Sequence, residues 1–253
     1  MKVTLAQFAP KLAKDNIQTH LDIINKHKSQ SDLIVFPELS LHGYLLQDKV
    51  YEDAYTLTDL SVLIEASKEV DIIIGLALKE EKAIYNSALY LSGGTVLHTH
   101  HKNHLANYGM FEEARYFFKG EVTQSFQTDF GESMVLVCED LWRASIVAKV
   151  ADYKPKYLFV IANSPARDFE EKELLIQSQW QALLKSTALL SGTTVVFVNR
   201  TGFEDGLGFW GGSCVISADA KVIHQLELFK ENIKTVDIKA GLFEAKKMIM
   251  KHG

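Results

Sequence analysis

Two kinds of apolar pattern alternate along the chain. Short continuous apolar runs are typical of buried strands, whereas apolar residues that recur every three or four positions are typical of helices. The runs predict strands at 2–9, 32–36, 71–78, 85–91, 96–101, 133–137, 157–162, 193–199, 213–217, 221–225 and 233–238. The periodic segments predict helices at 16–27, 57–70, 141–150, about 170–191 and after residue 238.

The order of these elements predicts a fold class. Gly93 and Gly94 separate two strands in the manner of a hairpin turn. Alternating strands and helices, with hairpins mixed in, predict an α/β protein whose mixed sheets are covered by helices. No repeat, low-complexity stretch or linker interrupts the pattern, so we interpret residues 1–253 as a single domain.

Composition narrows the class of protein. The chain has 253 residues, 47% apolar and 23% charged, which is typical of a globular protein with a sizeable core. Its net charge is −5 and no extended basic stripe occurs, so we expect no nucleic-acid partner. The longest apolar runs, such as 72–78, are too short to cross a bilayer, so no membrane partner is expected. The N-terminal residues do not resemble a secretion signal, and we therefore expect Cys138 and Cys214 to be reduced thiols in the cytoplasm.

Cys138 lies where a predicted strand gives way to a predicted helix. The apolar run 133–137 ends at this residue, and Asp140 is then expected to cap a helix over 141–150. At such a position, free backbone N–H groups and the helix dipole favour the thiolate, which is the nucleophilic form of cysteine. The alternative is that Cys138 is a small buried core residue.

Other reactive side chains follow other predicted strands. Glu38 follows the strand at 32–36, and Lys102 follows the strand at 96–101. Ligands in open α/β sheets usually bind beyond the carboxyl ends of the strands, so these groups and Cys138 are expected to meet. Glu38 has the chemistry of a general base, and Lys102 with the N–H of Glu139 has the chemistry to stabilise an oxyanion. Taken singly, Glu38 and Lys102 are equally compatible with solvated surface residues.

Several segments, in order along nearly the whole chain, resemble those of a known family. They are 36–40, 43–44, Lys102, 138–142, 163–167, 199–202, 204–206 and 209–213. With these motifs the chain is identified as a member of the nitrilase superfamily, the carbon–nitrogen hydrolases. The resemblance implies a four-layer α-β-β-α sandwich, a homodimer or higher homo-oligomer, and no cofactor or metal.

Two segments are similar to one branch of that superfamily. Residues 101–117 and 138–142 resemble the glutaminase domain of glutamine-dependent NAD synthetase, which acts as an amidase. Ala106 replaces a proline that is usual in that branch, and Glu112 replaces an aspartate. Because the chain is too short to hold a synthetase domain as well, we expect a stand-alone relative of the amidase module.

The resemblance also implies roles for individual residues. Glu38 would be the general base, Lys102 would stabilise the oxyanion and Cys138 would be the nucleophile. Glu113 would be a second glutamate that positions the substrate and orients its neighbours. The residues that fall where that branch lines its substrate pocket are Tyr108, Phe111, Glu139 and Ser164.

A local histidine cluster suggests metal binding at first sight. On a strand, His98 and His100 share one face while His101 takes the other, so the ring nitrogens are not expected to converge on an ion. We therefore predict no metal site. Cys214 lies in a predicted strand and is expected to pack in the core.

Three hypotheses compete to explain these motifs, and a nitrile hydrolase is a further possibility. The first is an amidase that cleaves the C–N bond of a small soluble carboxamide through a cysteine thioester. The second is a glutaminase component that supplies ammonia to a separate synthetase, and the same thiol chemistry also allows a nitrile hydrolase. The third, a non-catalytic binding module, is disfavoured because Glu38, Lys102 and Cys138 all have the residue types that catalysis requires.

Overall fold

The strands of the protein form two large sheets and two small two-stranded pairs. The computed structural model describes residues 1–12, 16–44, 47–109, 111–167, 169–170 and 173–238. The predicted helix after residue 238 lies outside these residues. The strands are β1 (Lys2–Gln7), β2 (Leu33–Val35), β3 (Asp71–Glu80), β4 (Ala83–Ser92), β5 (Thr95–His101), β6 (Phe126–Thr128), β7 (Gly131–Val137), β8 (Tyr157–Ala162), β9 (Phe169–Glu170), β10 (Glu173–Leu174), β11 (Thr194–Asn199), β12 (Thr201–Glu204), β13 (Leu207–Trp210), β14 (Cys214–Ile216), β15 (Val222–Gln225) and β16 (Asn232–Asp237).

Helices connect many of these strands. The α-helices in the described part of the chain are α1 (Ile17–His27), α2 (Val50–Asp53), α3 (Ser61–Ala66), α4 (Glu113–Tyr116), α5 (Ala144–Tyr153) and α6 (Leu175–Ser191). Short 3-10 helices occupy Lys28–Gln30, Gln47–Lys49, Leu57–Leu60 and Cys138–Trp142. Within these residues, no helix has both the length and the apolar composition needed to cross a membrane.

The strand order brings several carboxyl ends to the same edge. The first sheet has the order β16-β1-β2-β3-β4-β5, and the second has the order β15-β14-β11-β8-β7-β6. β2 is parallel to β1 and β3, and β8 is parallel to β7 and β11. Two antiparallel steps separate β3 from β5, so β5 runs in the same direction as β3 and β2. The segments that follow β2 and β5 therefore leave the first sheet on one side.

The two sheets pack face to face and helices cover their outer faces. Val35 and Ile73 of the first sheet belong to the same buried cluster as Val137 and Ile161 of the second. On the outer faces, α1 and α3 pack against the first sheet, and α5 and α6 pack against the second. This arrangement confirms the predicted α/β class with mixed sheets in a four-layer α-β-β-α sandwich.

Three helix predictions were wrong in their bounds, and the one over 57–70 extended too far, because α3 ends at Ala66. The segment 57–70 begins as a 3-10 helix and continues as the short helix α3, with Thr56 and Asp59 forming a capping box. The helix predicted over 141–150 begins only at Ala144, because Arg143 has an extended backbone conformation. The helix predicted from about 170 begins at Leu175, since the preceding residues form the β9–β10 pair instead.

Candidate active site

Cys138 lies at the end of β7, in a tight turn. Its backbone has φ of +44°, in the left-handed region that residues with side chains seldom adopt. Such a strained conformation persists only where the surrounding structure enforces it, and strained residues are concentrated at functional sites. The turn that follows is the 3-10 helix Cys138–Trp142, and the α-helix begins six residues beyond Cys138. The expected dipole of an α-helix starting at 141 is therefore absent from this described segment.

Glu38 follows β2 and is fully buried. Its oxygen Oε1 accepts hydrogen bonds from Lys102 Nζ at 2.7 Å and from Asn86 Nδ2 at 2.8 Å. Its other oxygen, Oε2, accepts from the backbone N–H of Asn163 at 2.8 Å. Both oxygens are thus fixed, and the carboxylate has one orientation.

Lys102 lies between two carboxylates. Its Nζ donates to Oε1 of Glu38 and to Oε1 of Glu113, each at 2.7 Å, and its side chain is almost entirely buried. Burial lowers the pKa of Lys102, but the charges of Glu113 and Glu38 outweigh it and hold the pKa well above its usual value. The ammonium group is therefore charged at neutral pH.

Glu113 is the first residue of α4 and is buried beside Lys102. Tyr44 donates to its Oε1 at 2.6 Å, and the backbone N–H of Ala106 donates to its Oε2 at 2.9 Å. Ala106 is the residue that replaces the usual proline of the NAD synthetase branch, and a proline has no N–H to donate. Burial raises the pKa of Glu113 and the charge of Glu38 adds to the rise, against the opposing effect of Lys102.

The thiol of Cys138 does not have the low pKa that its position at a predicted helix start suggested. Burial raises the pKa of Cys138 well above its usual value, and the charge of Glu38 raises it further. The charge of Lys102 and a hydrogen bond from the backbone of Asn163 lower it, but they do not compensate. The resting sulfur is therefore a thiol, and it needs a base at the moment of attack.

Asp140 joins the turn that carries Cys138 to the loop that carries Lys102. Its oxygen Oδ1 accepts from the backbone N–H groups of Asn103 and His104 at 2.9 Å each. Its Oδ2 accepts from the backbone of Val137 at 3.2 Å and binds His100 Nε2 at 2.8 Å. Asp140, which the sequence predicted to cap a helix, thus holds the Cys138 turn and the Lys102 loop together; we call this contact the Asp140 clamp.

The cavity above these residues is small. Lys102, Glu113 and Cys138 line it, and the space open to water-sized atoms is about 20 Å³. The remaining lining residues are Tyr44, Ala106, Tyr108, Phe111, Glu139, Trp142, Asn163, Ser164, Pro165, Arg167 and Trp180. The four residues predicted for the substrate pocket, Tyr108, Phe111, Glu139 and Ser164, all belong to this lining.

Polar groups order the wall of the cavity. Glu139 accepts from Tyr108 Oη at 2.8 Å and from Arg143 Nη2 at 2.6 Å. The hydroxyl oxygen of Ser164 accepts from two indole N–H groups, those of Trp180 at 2.9 Å and Trp210 at 3.1 Å. Glu139 and Ser164 are therefore held in place by hydrogen bonds from neighbouring side chains.

Sequence reasoning assigned no role to Asn86, Tyr44 or Arg167, although the structure places all three at the site. Asn86 lies within β4 and holds both Glu38, through its side chain, and Lys102, through its backbone carbonyl at 2.8 Å. Two adjacent polar residues, Asn86 and Ser87, within a strand that is otherwise mostly apolar were the available signal in the sequence. Tyr44 and Arg167 lie in segments that match the family, where only their position was noted.

The histidines of β5 face different partners. His98 stacks on Phe126 with ring centroids 4.1 Å apart, and His100 binds Asp140. His101 lies 3.4 Å from Glu80. Among the described residues, no group of three or more potential ligands is arranged to hold a metal ion. Cys214 is buried in the core of the second sheet, as predicted.

The sequence matches one class of enzymes. Residues 2–247 match the family model for carbon–nitrogen hydrolases, and the chain belongs to that family. Hydrolytic cleavage of carbon–nitrogen bonds is the activity that this family defines.

Individual relatives add detail. The chain is 31% identical over 238 residues to the glutamine-dependent NAD(+) synthetase of Acinetobacter baylyi, covering 92% of this chain and 43% of that protein. It is 29% identical to a probable nitrilase of Schizosaccharomyces pombe, covering 94% of this chain and 90% of that protein. The chain thus spans less than half the length of the NAD synthetases that it matches.

Solved structures agree with this assignment. The glutamine-dependent NAD+ synthetase of Acinetobacter baumannii superposes with a TM-score of 0.83 at 31% identity, over 92% of this chain and 44% of that one. A CN-hydrolase superfamily protein of Xanthomonas campestris superposes with a TM-score of 0.86 at 20% identity, over 100% of this chain and 97% of that one. The second likeness shows the shared fold.

Proposed function

We propose that this protein is a thiol hydrolase that cleaves the C–N bond of a small carboxamide through a thioester on Cys138. One observation carries the proposal: Cys138 lines the same cavity as an ammonium group, Lys102, that is fixed between Glu38 and Glu113 at 2.7 Å from each. A thiol, a base and a fixed positive charge are the groups that acyl transfer requires.

In the first half of the reaction, Glu38 takes the proton of the Cys138 thiol as the sulfur attacks the carbonyl carbon. The C–S bond forms, and the carbonyl electrons move onto the oxygen. Lys102 stabilises this oxyanion together with the N–H of Glu139. The C–N bond then breaks, and the nitrogen leaves as ammonia or an amine with the proton that Glu38 held.

In the second half, water cleaves the thioester. Glu38 takes a proton from the water as its oxygen attacks the thioester carbon, and Lys102 again stabilises the oxyanion. The C–S bond breaks, the carboxylic acid leaves and the thiol of Cys138 regains its proton. Glu113 keeps Lys102 in place throughout, because it accepts from the same ammonium group as Glu38.

The lining of the cavity favours an amide of an amino acid. Glu139 and Arg167 bring opposite charges to the cavity wall, and these match the ammonium and carboxylate groups of glutamine. The names of the NAD synthetase relatives also specify glutamine. Because about 20 Å³ of space holds roughly one water, binding of glutamine requires the cavity to widen.

A glutaminase that supplies ammonia to a separate synthetase is the second candidate. It is favoured by the relatives that are named glutamine-dependent NAD(+) synthetase. In that case the protein would have three kinds of partner: the substrate, a second copy of this chain and a synthetase. Hydrolysis of a nitrile by the same thiol is the remaining alternative, and the probable nitrilase relative supports it.

Mass spectrometry of the Cys138 peptide after mixing with a panel of amides tests the proposal. An acyl adduct on Cys138, with release of ammonia from glutamine, is the expected result. Cys138→Ala should abolish both, whereas Cys214→Ala, which removes the other thiol from the core, should retain both. Hydrolysis that survives in Cys138→Ala would contradict the mechanism. A higher rate in the presence of a synthetase would distinguish the second candidate from the first.

A further inference from the structure

Asn163 is the first residue after β8 and lies against the catalytic cluster. It is 2% exposed, and it lines the cavity that contains Cys138. Its backbone N–H donates to Oε2 of Glu38 at 2.8 Å. The backbone of this residue is therefore part of the frame that fixes the proposed base.

The side-chain amide of Asn163 is unusual because it is buried but unpaired. Neither its Oδ1 nor its Nδ2 has a hydrogen-bond partner among the residues that the structure describes. The large majority of buried side-chain polar atoms in proteins are paired, and an unpaired one needs an explanation. An unpaired amide on a residue that lines the cavity and whose backbone holds Glu38 is a candidate to pair with a group that the substrate brings.

The two oxygens of Glu38 separate two sides of the site. Lys102 donates to Oε1. A substrate whose carbonyl oxygen faces the Lys102 ammonium therefore has that oxygen on the Oε1 side of Glu38. The backbone N–H of Asn163 donates to Oε2, on the other side. Because the leaving nitrogen has to receive its proton from Glu38 while its oxygen stays with Lys102, the nitrogen lies on the Asn163 side.

We propose that the side-chain amide of Asn163 recognises the scissile –NH₂ group of the substrate, with Oδ1 accepting a hydrogen bond from one of its N–H groups. This inference rests on the proposed amidase function and deepens it, because it specifies a primary carboxamide over an ester or a nitrile of the same acyl group. An ester oxygen and a nitrile nitrogen carry no hydrogen to donate. Such a substrate leaves Oδ1 of Asn163 unpaired, and the site discriminates against it.

The same contact orients the leaving group. Holding one N–H on Oδ1 turns the nitrogen lone pair of the tetrahedral intermediate toward the proton on Glu38. The C–N bond then breaks, the electron pair stays on nitrogen, and ammonia leaves with the proton from Glu38. Once the thioester has formed, the nitrogen is gone, so Asn163 affects acylation by amides and has no part in deacylation.

A comparison of matched substrates tests the inference. An amide and a methyl ester with the same acyl group form the same thioester, so a difference between them reports acylation only. In Asn163→Leu, kcat/KM for the amide is expected to fall about tenfold, while kcat/KM for the ester changes less than about threefold. Rapid-quench measurement should show an unchanged rate of thioester hydrolysis. A variant of an exposed asparagine on α1, Asn25→Leu, is the matched control.

Asn163→Asp keeps the shape and an acceptor oxygen, and covers the case in which Asn163→Leu does not fold. Its amide-to-ester ratio should stay near the wild-type value, even though a new negative charge beside Glu38 slows both substrates. An unchanged amide-to-ester ratio of kcat/KM in a folded Asn163→Leu would overturn the inference. It would leave the amidase proposal intact. A wild-type protein that hydrolyses neither substrate would remove both.

Discussion

The hydroxyl group of Tyr44 donates a 2.6 Å hydrogen bond to Oε1 of Glu113, the same carboxylate oxygen that accepts from Lys102. This bond lowers the pKa of Glu113, against the larger effect of burial. Tyr44 therefore helps to keep Glu113 charged, and a charged Glu113 helps to hold the ammonium in place.

Tyr44→Phe should thus weaken catalysis without removing a reacting group. Loss of a hydrogen bond to a charged group costs about 1.5–3 kcal/mol, so we expect kcat to fall by a factor of about 10 to 100. The acidic limb of the kcat profile should move to higher pH, because the pKa of Glu113 rises further. Steady-state kinetics from pH 5 to pH 9 check both effects, and a wild-type profile in the variant would contradict them.

Lys102→Met should damage both activity and stability. It leaves Glu38 and Glu113 buried without their shared cation, and breaking a buried ion pair costs about 3–5 kcal/mol. Loss of an oxyanion donor should lower kcat by a factor of about 100 or more. Urea unfolding and amide hydrolysis measure the two losses.

The double variant Lys102→Met/Glu113→Gln should regain part of the stability, since it removes one of the two facing carboxylates, but none of the activity. Lys221→Met, at an exposed lysine, is the control and should resemble the wild type. Full stability in Lys102→Met would show that the ion pairs contribute little to the folded state.

The raised pKa of Cys138 predicts slow alkylation at neutral pH. In a Cys214→Ala background, the rate of modification by iodoacetamide should rise as the pH increases beyond the ordinary thiol value of 9.0. The raised pKa also affects stability. Because folding raises the pKa of the thiol, its contribution to stability is complete below the ordinary value of 9.0 and is lost as the pH rises through the folded pKa. A plateau of reactivity already at pH 6 to 7 would mean that the resting sulfur is a thiolate.

Asp140→Asn should destabilise the protein at neutral pH more than in acid. Burial raises the pKa of Asp140, but hydrogen bonds from His100 and His104 outweigh it and hold the pKa well below its ordinary value of 3.8. Its contribution is therefore complete above pH 3.8 and is lost as the pH falls through the folded pKa. We expect a loss of about 3 kcal/mol at pH 7.

Urea unfolding of Asp140→Asn at pH 7 and at pH 3, where the contribution of Asp140 has begun to fall, measures this difference. Asp152→Asn, at an exposed position on α5, is the control and should show neither the loss nor its pH dependence. Because Asp140 ties the Cys138 turn to the Lys102 loop, its replacement should also lower kcat more than it changes KM. Equal stability of Asp140→Asn and wild type at pH 7 would refute the clamp.

Much of the site was predictable because the groups that meet in it follow strands. Glu38, Lys102 and Cys138 each follow a predicted strand. The common direction of β2 and β5 brings Glu38 and Lys102 to one edge of the first sheet, and the packing of the second sheet against the first brings Cys138 to them. Cys138 was harder in one respect. Its position predicted a helix dipole and a low pKa, whereas the turn is a 3-10 helix and burial dominates the pKa. A local pattern does not contain the desolvation that tertiary packing creates.

The supporting residues were beyond sequence reasoning for a related reason. Asn86 lies inside β4, and its contact with Glu38 depends on the register of that strand against its neighbours. Strand β6 and the β12–β13 pair were not predicted either, since these short edge segments carry little apolar alternation. Helices α5 and α6 begin at Ala144 and Leu175 because the residue before each has an extended backbone, which the apolar spacing does not indicate.

The site is divided between the two halves of the sandwich. Glu38 and Lys102 leave the first sheet, whereas Cys138 and Asn163 leave the second, and the apolar layer between the sheets fixes their separation. Hydrolysis is therefore a reporter of sheet docking during refolding. An intermediate in which each sheet has formed but the two have not yet associated would give a native-like circular dichroism spectrum and no turnover. The lag between recovery of the spectrum and recovery of turnover therefore measures how long the two sheets take to associate.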